Sequence, residues 1–344
     1  MSIVVGMSGG TDSAVAALLL REAGEQVIGV TLHFSDRSAC CDLGSTRRAR
    51  AQCEHLGIPW HQVDICRLFE SEVVTPFWQG IAAGATPNPC LLCNERVKWQ
   101  GLMDAARQLG ADFVASGHYA GIVHSADGDL ICRGADAGKD QSYFLYRLSP
   151  EVRKRAVFPL AGRLKRDVKS LAAESFPQEL LAQRESQDLC FLVDSLTVET
   201  RRRVGGAEGP VVLSDGTVLG RHEGLASYTI GQRRGLGISS AERLYVVEKR
   251  QSGNQLVVGP RNECMRDTFE VAELRWQHLP TARLETFTSD VVTRYRSRPV
   301  TADVKKLFDD RALVHTTVPV FGVTPGQAAV FYQDRFVLGG GTIV

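Results

Sequence analysis

The stretch IVVGMSGGTDSAVAALLLREAG, residues 3–24, constrains the fold more than any other. An apolar strand runs straight into SGGTDS, residues 8–13, and from there into an apolar helix that ends at Gly24. Glycines in such a loop let backbone N–H groups turn toward an anion, and the helix N-terminus adds partial positive charge. Ser8 and Ser13 supply hydroxyl donors, and Asp12 can order the loop or hold Mg²⁺. A capped glycine turn would use the same residue types, but the strand–loop–helix order favours a phosphate cradle. No Gly-Lys-Ser/Thr follows, so it is not a Walker loop, and the Gly-x-Gly-x-x-Gly spacing of dinucleotide folds is missing too.

The pattern then repeats. QVIGVTLHF, IPWHQVDI and DFVASGHY read as further strands, with TRRARAQCEHLG and LMDAARQLG as helices between them. Such alternation predicts a parallel sheet covered on both faces. Near residue 195 the texture changes to short strands and turns, and from about 266 the chain is nearly all strand-like. The expected architecture is an α/β nucleotide-binding domain over 1–195, a small mixed domain over 196–264 and an all-β barrel over 265–344. No apolar run approaches the roughly 20 residues needed to span a bilayer, and the first residues carry no basic, cleavable leader. Nine cysteines without a leader read as cytosolic thiols and not as a disulfide framework. The net charge of +1 decides nothing about partners, but residues 139–169 hold nine Lys or Arg against three acids. That excess is a candidate phosphate contact or a solvated helix face.

TPNPCLLCNERVKW, residues 86–99, sets Cys90 and Cys93 two residues apart after an Asn-Pro turn. Zinc needs a second ligand pair, and the adjacent Cys40 and Cys41 chelate one metal poorly, so they read as fillers. Cys53, Cys66, Cys132 and Cys264 lie among ordinary helix and strand residues and also read as fillers.

SGGTDS after a first strand resembles the pyrophosphate loop of ATP pyrophosphatases, which adenylylate a carbonyl oxygen. TPNPCLLCNERVKW, ASGHYA (115–120), KDQSYFLYRLS (139–149), ESQDLCF (185–191), YTIGQRRGLGI (228–238), TRYR (293–296) and TPGQAAVFY (324–332) follow in order. Together with the loop they resemble the bacterial tRNA-specific 2-thiouridylases along essentially the whole chain. The resemblance implies ATP-dependent replacement of the C2 oxygen of a wobble uridine by sulfur. ATP makes that oxygen a leaving group, and a protein persulfide is a sensible sulfur carrier. It implies Cys190 as persulfide carrier and Cys93 as the second cysteine, which releases the sulfur and can close a disulfide with Cys190. Asn88, Pro89 and Cys90 match the segment facing the target base. ATP contacts fall on Gly6, Met7, Ser8, Gly9, Gly10, Thr11, Asp12, Ser13, Leu32 after the second strand, and Gly117. Contacts to the anticodon arm fall on His118, Lys139, Asp140, Gln141, Arg294, Tyr295 and Gln327. The implied cofactors are ATP and Mg²⁺, and the sulfur donor is a cysteine desulfurase or a relay protein.

One departure stands out. Family members carry aspartate where this chain has Cys90, and a thiol is the poorer general base. Three thiols, Cys90, Cys93 and Cys190, also suit a [4Fe–4S] cluster with one open iron that carries sulfide. Persulfide and cluster both stand as routes at this point. Another ATP pyrophosphatase reaction, or a nucleic-acid-binding module with a structural metal and no catalysis, would need a different pairing. Neither requires Cys190 together with SGGTDS.

Overall fold

The computed structural model describes residues 1–34, 43–181, 189–308 and 310–344. Cys40, Cys41 and all of the ESQDLCF motif before Leu189 lie outside the described residues. Strands β1 (Ser2–Gly6), β2 (Gln26–His33), β3 (Trp60–Asp64) and β4 (Phe113–Ala115) pair in parallel. A hairpin of β5 (Ala120–Ser125) and β6 (Gly128–Arg133) follows, and then β7 (Ala156–Val157) joins β4. The sheet order is β3-β2-β1-β4-β7, so β1 is central and its carboxyl end meets that of β4. The first helix (Thr11–Glu22) covers one face with the helix Leu43–Leu56, and the helix Trp99–Leu109 covers the other. That is the expected parallel α/β layer. DFVASGHY is strand only over its first part, because Gly117 and His118 leave the sheet for the site described below.

The central segment is a four-stranded sheet of β8 (Gly209–Val212), β9 (Val218–His222), β10 (Tyr245–Arg250) and β11 (Gln255–Gly259) in the order β10-β11-β8-β9. Six further strands close a barrel: β12 (Met265–Trp276), β13 (Thr286–Val292), β14 (Val300–Lys306), β15 (Ala312–Phe321), β16 (Ala328–Gln333) and β17 (Phe336–Ile343). They run in the order β12-β15-β14-β13-β16-β17, and β17 returns to pair with β12.

The barrel is fused to the catalytic layer through strands buried on both faces. Along β16, Ala329 and Phe331 point into the barrel core, whereas Ala328, Val330 and Tyr332 belong to the core of the α/β domain. This is the period-two alternation of a strand with apolar neighbours on each side. β17 also pairs with β6, so the hairpin inside the first segment becomes part of the barrel sheet. Gln277, fully buried, ties the two units: its amide donates to Leu145 O (3.1 Å) and Tyr146 O (2.9 Å) and accepts from Ile131 N (2.9 Å).

Arg147 sits at the same junction. Its guanidinium donates to Glu95 Oε2 at 2.6 Å, Glu273 Oε2 at 3.2 Å and Thr342 Oγ1 at 3.3 Å. Arg147 is only 4% exposed, so removing it leaves the poorly hydrated Glu95 carboxylate with only the longer contacts to Arg275 (3.4 Å) and Arg96 (3.8 Å). Arg147→Met should lower stability by roughly 3 kcal/mol, the cost of breaking a buried pair. Arg50→Met, in the exposed Arg50–Glu54 pair, should cost less than about 1 kcal/mol. Urea-unfolding midpoints of the two variants check the contrast, and equal shifts would contradict it.

Candidate active site

The phosphate loop is shaped by three local constraints. Gly9 adopts φ +71°, and a Cβ there would lie 2.2 Å from Ser45 O, so only glycine fits. Ser13 Oγ donates to Gly10 O (2.9 Å) and accepts from Ser8 N (3.2 Å), which locks the turn. Met7 is anchored at both backbone ends, its N–H donating to Val30 O (2.8 Å) and its carbonyl accepting from Thr31 Oγ1 (2.9 Å). The Met7 side chain is buried in the core, and Gly6 packs on Leu102. Thr11 and Asp12 open the first helix, whose N-cap is Gly10. Leu32 lies within β2, not after it, with a buried side chain packed toward Gly101, so only its backbone faces the nucleotide edge.

The segment Ser116–Tyr119 runs across the mouth of this loop. A Cβ on Gly117 would lie 2.8 Å from Asp12 C and 2.8 Å from Ser13 N, so the two backbones touch. Tyr119 Oη donates to Asp12 Oδ1 at 2.8 Å, and its backbone N–H donates to Gln141 Oε1 at 3.0 Å. Lys165, the first residue of the helix Lys165–Ser175, donates to both Asp12 oxygens at 2.7 and 2.8 Å. Asp12 therefore orders the loop through a lysine and a tyrosine. A Mg²⁺ would have to rest mainly on phosphate oxygens, as this ion commonly does. Sequence reasoning counted Lys165 only as part of a basic stretch. With Lys165, three arginines of that stretch turn inward: Arg147 as described, Arg153 onto Asp129 O and Leu148 O, and Arg155 onto Ala111 O and Asp112 O; Lys154, Arg163, Arg166 and Lys169 are exposed. Backbone carbonyls and carboxylates claim these arginines, so they do not belong to an exposed basic face, which is left to the remaining residues of the run.

On the other side of Gly117 the thiols gather. Residues 89–109 form one continuous helical rod, Pro89–Leu92, a π-helical turn Cys93–Lys98, and Trp99–Leu109. Asn88 caps its start, accepting from Cys90 N at 3.2 Å, with Pro89 in the first turn where its missing N–H costs nothing. Cys90 is exposed, whereas Cys93 and Cys190 are half-buried against the main core; all three are reduced thiols. Phe191 holds the Cys190 turn in place by edge-on contacts with Phe77 (5.3 Å) and Phe69 (6.0 Å). Cys93, Cys90 and Cys190 each act electrostatically on one lysine, Lys98, which closes the π-turn. Lys98 Nζ lies 3.0 Å from His118 Nε2. Burial, and then the Lys98 charge, push His118 well below its ordinary value, so it is neutral at physiological pH. The ammonium donates, Nε2 accepts, and the remaining ring proton faces the Gln141 side chain. Sequence reasoning passed over Lys98 although it lies in NERVKW; its only signal was a spacing of five from Cys93.

The thiols expected to be fillers are buried at Cys53, Cys132 and Cys264, and burial pushes Cys53 up to about 12. Among the described residues, no three His, Cys, Asp or Glu side chains are grouped to hold a metal ion, so nothing below is routed through a cluster.

The residues expected at RNA are split. Tyr295 packs on Phe144 (4.5 Å) and Tyr143 (6.2 Å), which directly follow Lys139–Gln141. Asp140 organises its own loop, accepting from Gly134 N (3.2 Å), Ser142 N (3.1 Å) and Ser142 Oγ (2.9 Å). Arg294 is turned inward onto Ile230 O (2.7 Å) and Thr324 Oγ1, and His118 is 8% exposed. Gln327 donates to Thr86 O at 2.7 Å, and Thr86 N donates to Pro325 O at 2.8 Å. The barrel loop 324–327 thereby braces the turn that carries Asn88 and Cys90.

A parallel nucleotide-binding layer with a phosphate loop and thiols at its carboxyl edge, followed by a small barrel-like sheet and a closed β-barrel, is a recognised arrangement. Family models match it in three parts: a tRNA methyl transferase HUP domain over 1–194, a tRNA methyl transferase PRC-barrel domain over 200–260, and an aminomethyltransferase beta-barrel domain over 266–343. Among full-length relatives, the tRNA-specific 2-thiouridylase MnmA of Geobacter metallireducens is 42% identical, covering 99% of this chain and 96% of that one. The MnmA of Rippkaea orientalis is also 42% identical, over 99% of both chains, and that of Dehalococcoides mccartyi is 38% identical over 99% and 96%. The chain belongs to the tRNA-specific 2-thiouridylase family. A 4-thiouridine synthetase in complex with RNA and ATP is a far more distant structural match, 19% identical over 52% of this chain and 42% of that one, with a TM-score of 0.36.

Gly117 is the most exacting position of the site. Gly117→Ala should push the Asp12–Ser13 backbone aside, at about 1–3 kcal/mol of overpacking, and weaken ATP binding at least tenfold. Calorimetric titration with ATP, alongside the melting temperature, checks this; unchanged affinity would mean that the contact does not shape the loop.

Proposed function

We propose that this protein catalyses the ATP-dependent 2-thiolation of the wobble uridine of tRNA, using a persulfide on Cys190. The observation that carries this reading is one run of contacts and electrostatic interactions. It leads from Asp12 of the phosphate loop through Gly117 to His118, and from His118 through Lys98 to the three thiols. An amide-forming pyrophosphatase needs the first half of that run, and a binding module needs neither half.

The backbone N–H groups of the loop and the Lys165 ammonium face the anionic phosphates of ATP, where charge develops as pyrophosphate leaves. The C2 oxygen of uridine attacks the α-phosphorus, pyrophosphate departs, and the base carries an O2-adenylate. The terminal sulfur of the Cys190 persulfide then attacks C2, and AMP leaves with the former oxygen. Cys93, as thiolate, attacks Cys190 Sγ. The Cys190–S bond to the transferred sulfur breaks, 2-thiouridine is released, and a Cys93–Cys190 disulfide remains. A two-electron thiol reductant restores both thiols, and a desulfurase or relay protein recharges Cys190. Mg²⁺ would neutralise phosphate charge; the described residues offer it only the already engaged Asp12 carboxylate. Cys90 stands at the exposed start of the helical rod, on the side where the target base would enter.

In this reading residues 1–195 perform the chemistry, while 196–264 and 265–344 hold the anticodon arm. Lys139 and Tyr295 lie at the shared edge as direct contacts. His118, Asp140, Gln141, Arg294 and Gln327 hold that edge in shape through the bonds already described, with Asn88 and Pro89 presenting Cys90. Among the described residues, no helix is long and apolar enough to cross a membrane, which suits an enzyme working on tRNA in the cytoplasm.

Cys190→Ser and Cys93→Ser should each abolish 2-thiouridine formation, a loss of at least about 10³-fold for a missing nucleophile, while tRNA affinity stays within about twofold. Mass spectrometry of tRNA nucleosides from a deletion strain complemented with each variant reads the first, and filter binding the second. Full thiolation by either variant would end the persulfide cycle. Unchanged 2-thiouridine in the deletion strain would end the functional reading itself.

A further inference from the structure

We propose that Lys98 supplies the positive charge against which the sulfur anions of the transfer step form, so that it serves sulfur transfer and not adenylation. The inference rests on the thiolation reading above and adds to it a residue with its own task.

Three independent features of the site lead there. The first is helical geometry. Cys93 and Lys98 are the first and last residues of the π-turn. In an α-helix, residues five apart point in different directions. In a π-turn the i→i+5 hydrogen bonding brings them toward one side. An extra residue in this rod therefore swings Lys98 toward Cys93, and such turns are frequent at functional sites.

The second is the charge environment of Lys98. Burial works against its ammonium, and the groups that favour it are Cys93, Cys90 and Cys190, in that order. Among the described residues, none of these groups is a carboxylate. A half-buried ammonium with no carboxylate is costly unless a counter-charge appears. Among the described residues the counter-charge falls to sulfur: a thiolate at Cys93 or a persulfide anion at Cys190.

The third is His118. It accepts from Lys98 Nζ at 3.0 Å and is itself held neutral, so it orients the ammonium without cancelling its charge. The Trp99 ring stacks beside His118, with centroids 6.4 Å apart, and closes the far side. A lysine meant for the phosphates would lie with Lys165 at Asp12; Lys98 lies on the thiol side of His118 instead.

In the reaction Lys98 keeps its proton throughout. The persulfide anion at Cys190 forms beside it and attacks C2 as AMP leaves. AMP carries that negative charge away; Cys93 then gives its proton to solvent, and its thiolate attacks Cys190 Sγ, so that the bond to the transferred sulfur breaks and 2-thiouridine leaves. The thiol reductant already invoked resets the pair. Lys98 is thus a fixed charge that makes each sulfur anion less costly, a role distinct from general acid or base catalysis.

The test separates the two half-reactions. With wild-type enzyme, Lys98→Met and Lys98→Arg, single-turnover assays follow pyrophosphate release and 2-thiouridine formation on the same tRNA. Lys98→Met should leave pyrophosphate release within about threefold and slow 2-thiouridine formation by about 10²- to 10³-fold, the range for losing one preorganised charge partner. Lys98→Arg should recover most of the loss. Equal slowing of both half-reactions, or no slowing of thiolation, would overturn the proposal. A second measurement needs no variant and no tRNA. Alkylation of Cys93 and Cys190 by iodoacetamide at pH 7, read by peptide mass spectrometry in the folded wild-type protein, should outpace N-acetylcysteine. Slower capture of both by the small reagent would overturn the charge assignment even if Lys98→Met did not fold. If the wild type formed no 2-thiouridine at all, the functional reading would fail, while the alkylation arm would still judge Lys98.

Discussion

The contact between the Gly117 backbone and the first residues of the first helix sets the layout of the active centre. Without a side chain, Gly117 lets the chain leaving β4 pass directly over Asp12 and Ser13. The next two residues are then committed. His118 must point toward the helical rod, where it meets Lys98, and Tyr119 must return to Asp12. One close approach therefore couples the phosphate loop to the thiols through adjacent residues of one segment. In open α/β sheets, ligands bind beyond the carboxyl ends of the strands. Here that general rule is narrowed to a single glycine between two half-sites.

The rod and the barrel depend on each other in the same physical way. A helix carrying an exposed thiol at its start needs its first turn held still, and Asn88 does this from inside the turn. From outside, the 324–327 loop bonds to both the carbonyl and the N–H of Thr86. Further along, Glu95 of the π-turn is held by Arg147, which also reaches the barrel at Glu273 and Thr342. The strand behind these contacts, β16, is apolar on both faces, so the barrel cannot separate without exposing Val330 and Tyr332. The barrel is thereby a rigid wall of the active centre and not an appended module.

The parts of this arrangement that are legible in the sequence are those built from neighbours along the chain. SGGTDS declares itself because Ser8, Gly10 and Ser13 bond to one another within six residues, and the barrel strands declare themselves through alternation and turns. The family resemblance that the ordered motifs carry pairs Cys93 with Cys190, an assignment that neighbouring residues alone could not suggest. What the sequence hides depends on distant partners. Nothing near Arg147 or Arg155 announces the carboxylates and carbonyls that draw them inward, so the 139–169 run looks like a phosphate-binding face. The hairpin 120–133 shows no sign that β17 will extend it. Lys98 is hidden most thoroughly, since an α-helical reading of NERVKW turns it away from Cys93 and only the π-turn brings it back.

The two lysines of the site show why its halves do different work. Lys165 is matched by a carboxylate, so its charge is largely satisfied before any nucleotide arrives, and it holds Asp12 while the loop receives phosphates. Among the described residues, Lys98 is matched by sulfur and a neutral imidazole. In the proposed transfer its charge gains a partner when a sulfur anion forms. Cys90 belongs to the same balance. A carboxylate at that position, as the family resemblance implies for other members, would be ionised at neutral pH and would take up much of the Lys98 charge. A thiol, neutral until it ionises, leaves that charge to Cys93 and Cys190. In the proposed reaction, a thiol at position 90, though the poorer base, therefore leaves more of the lysine's charge to the sulfur that moves.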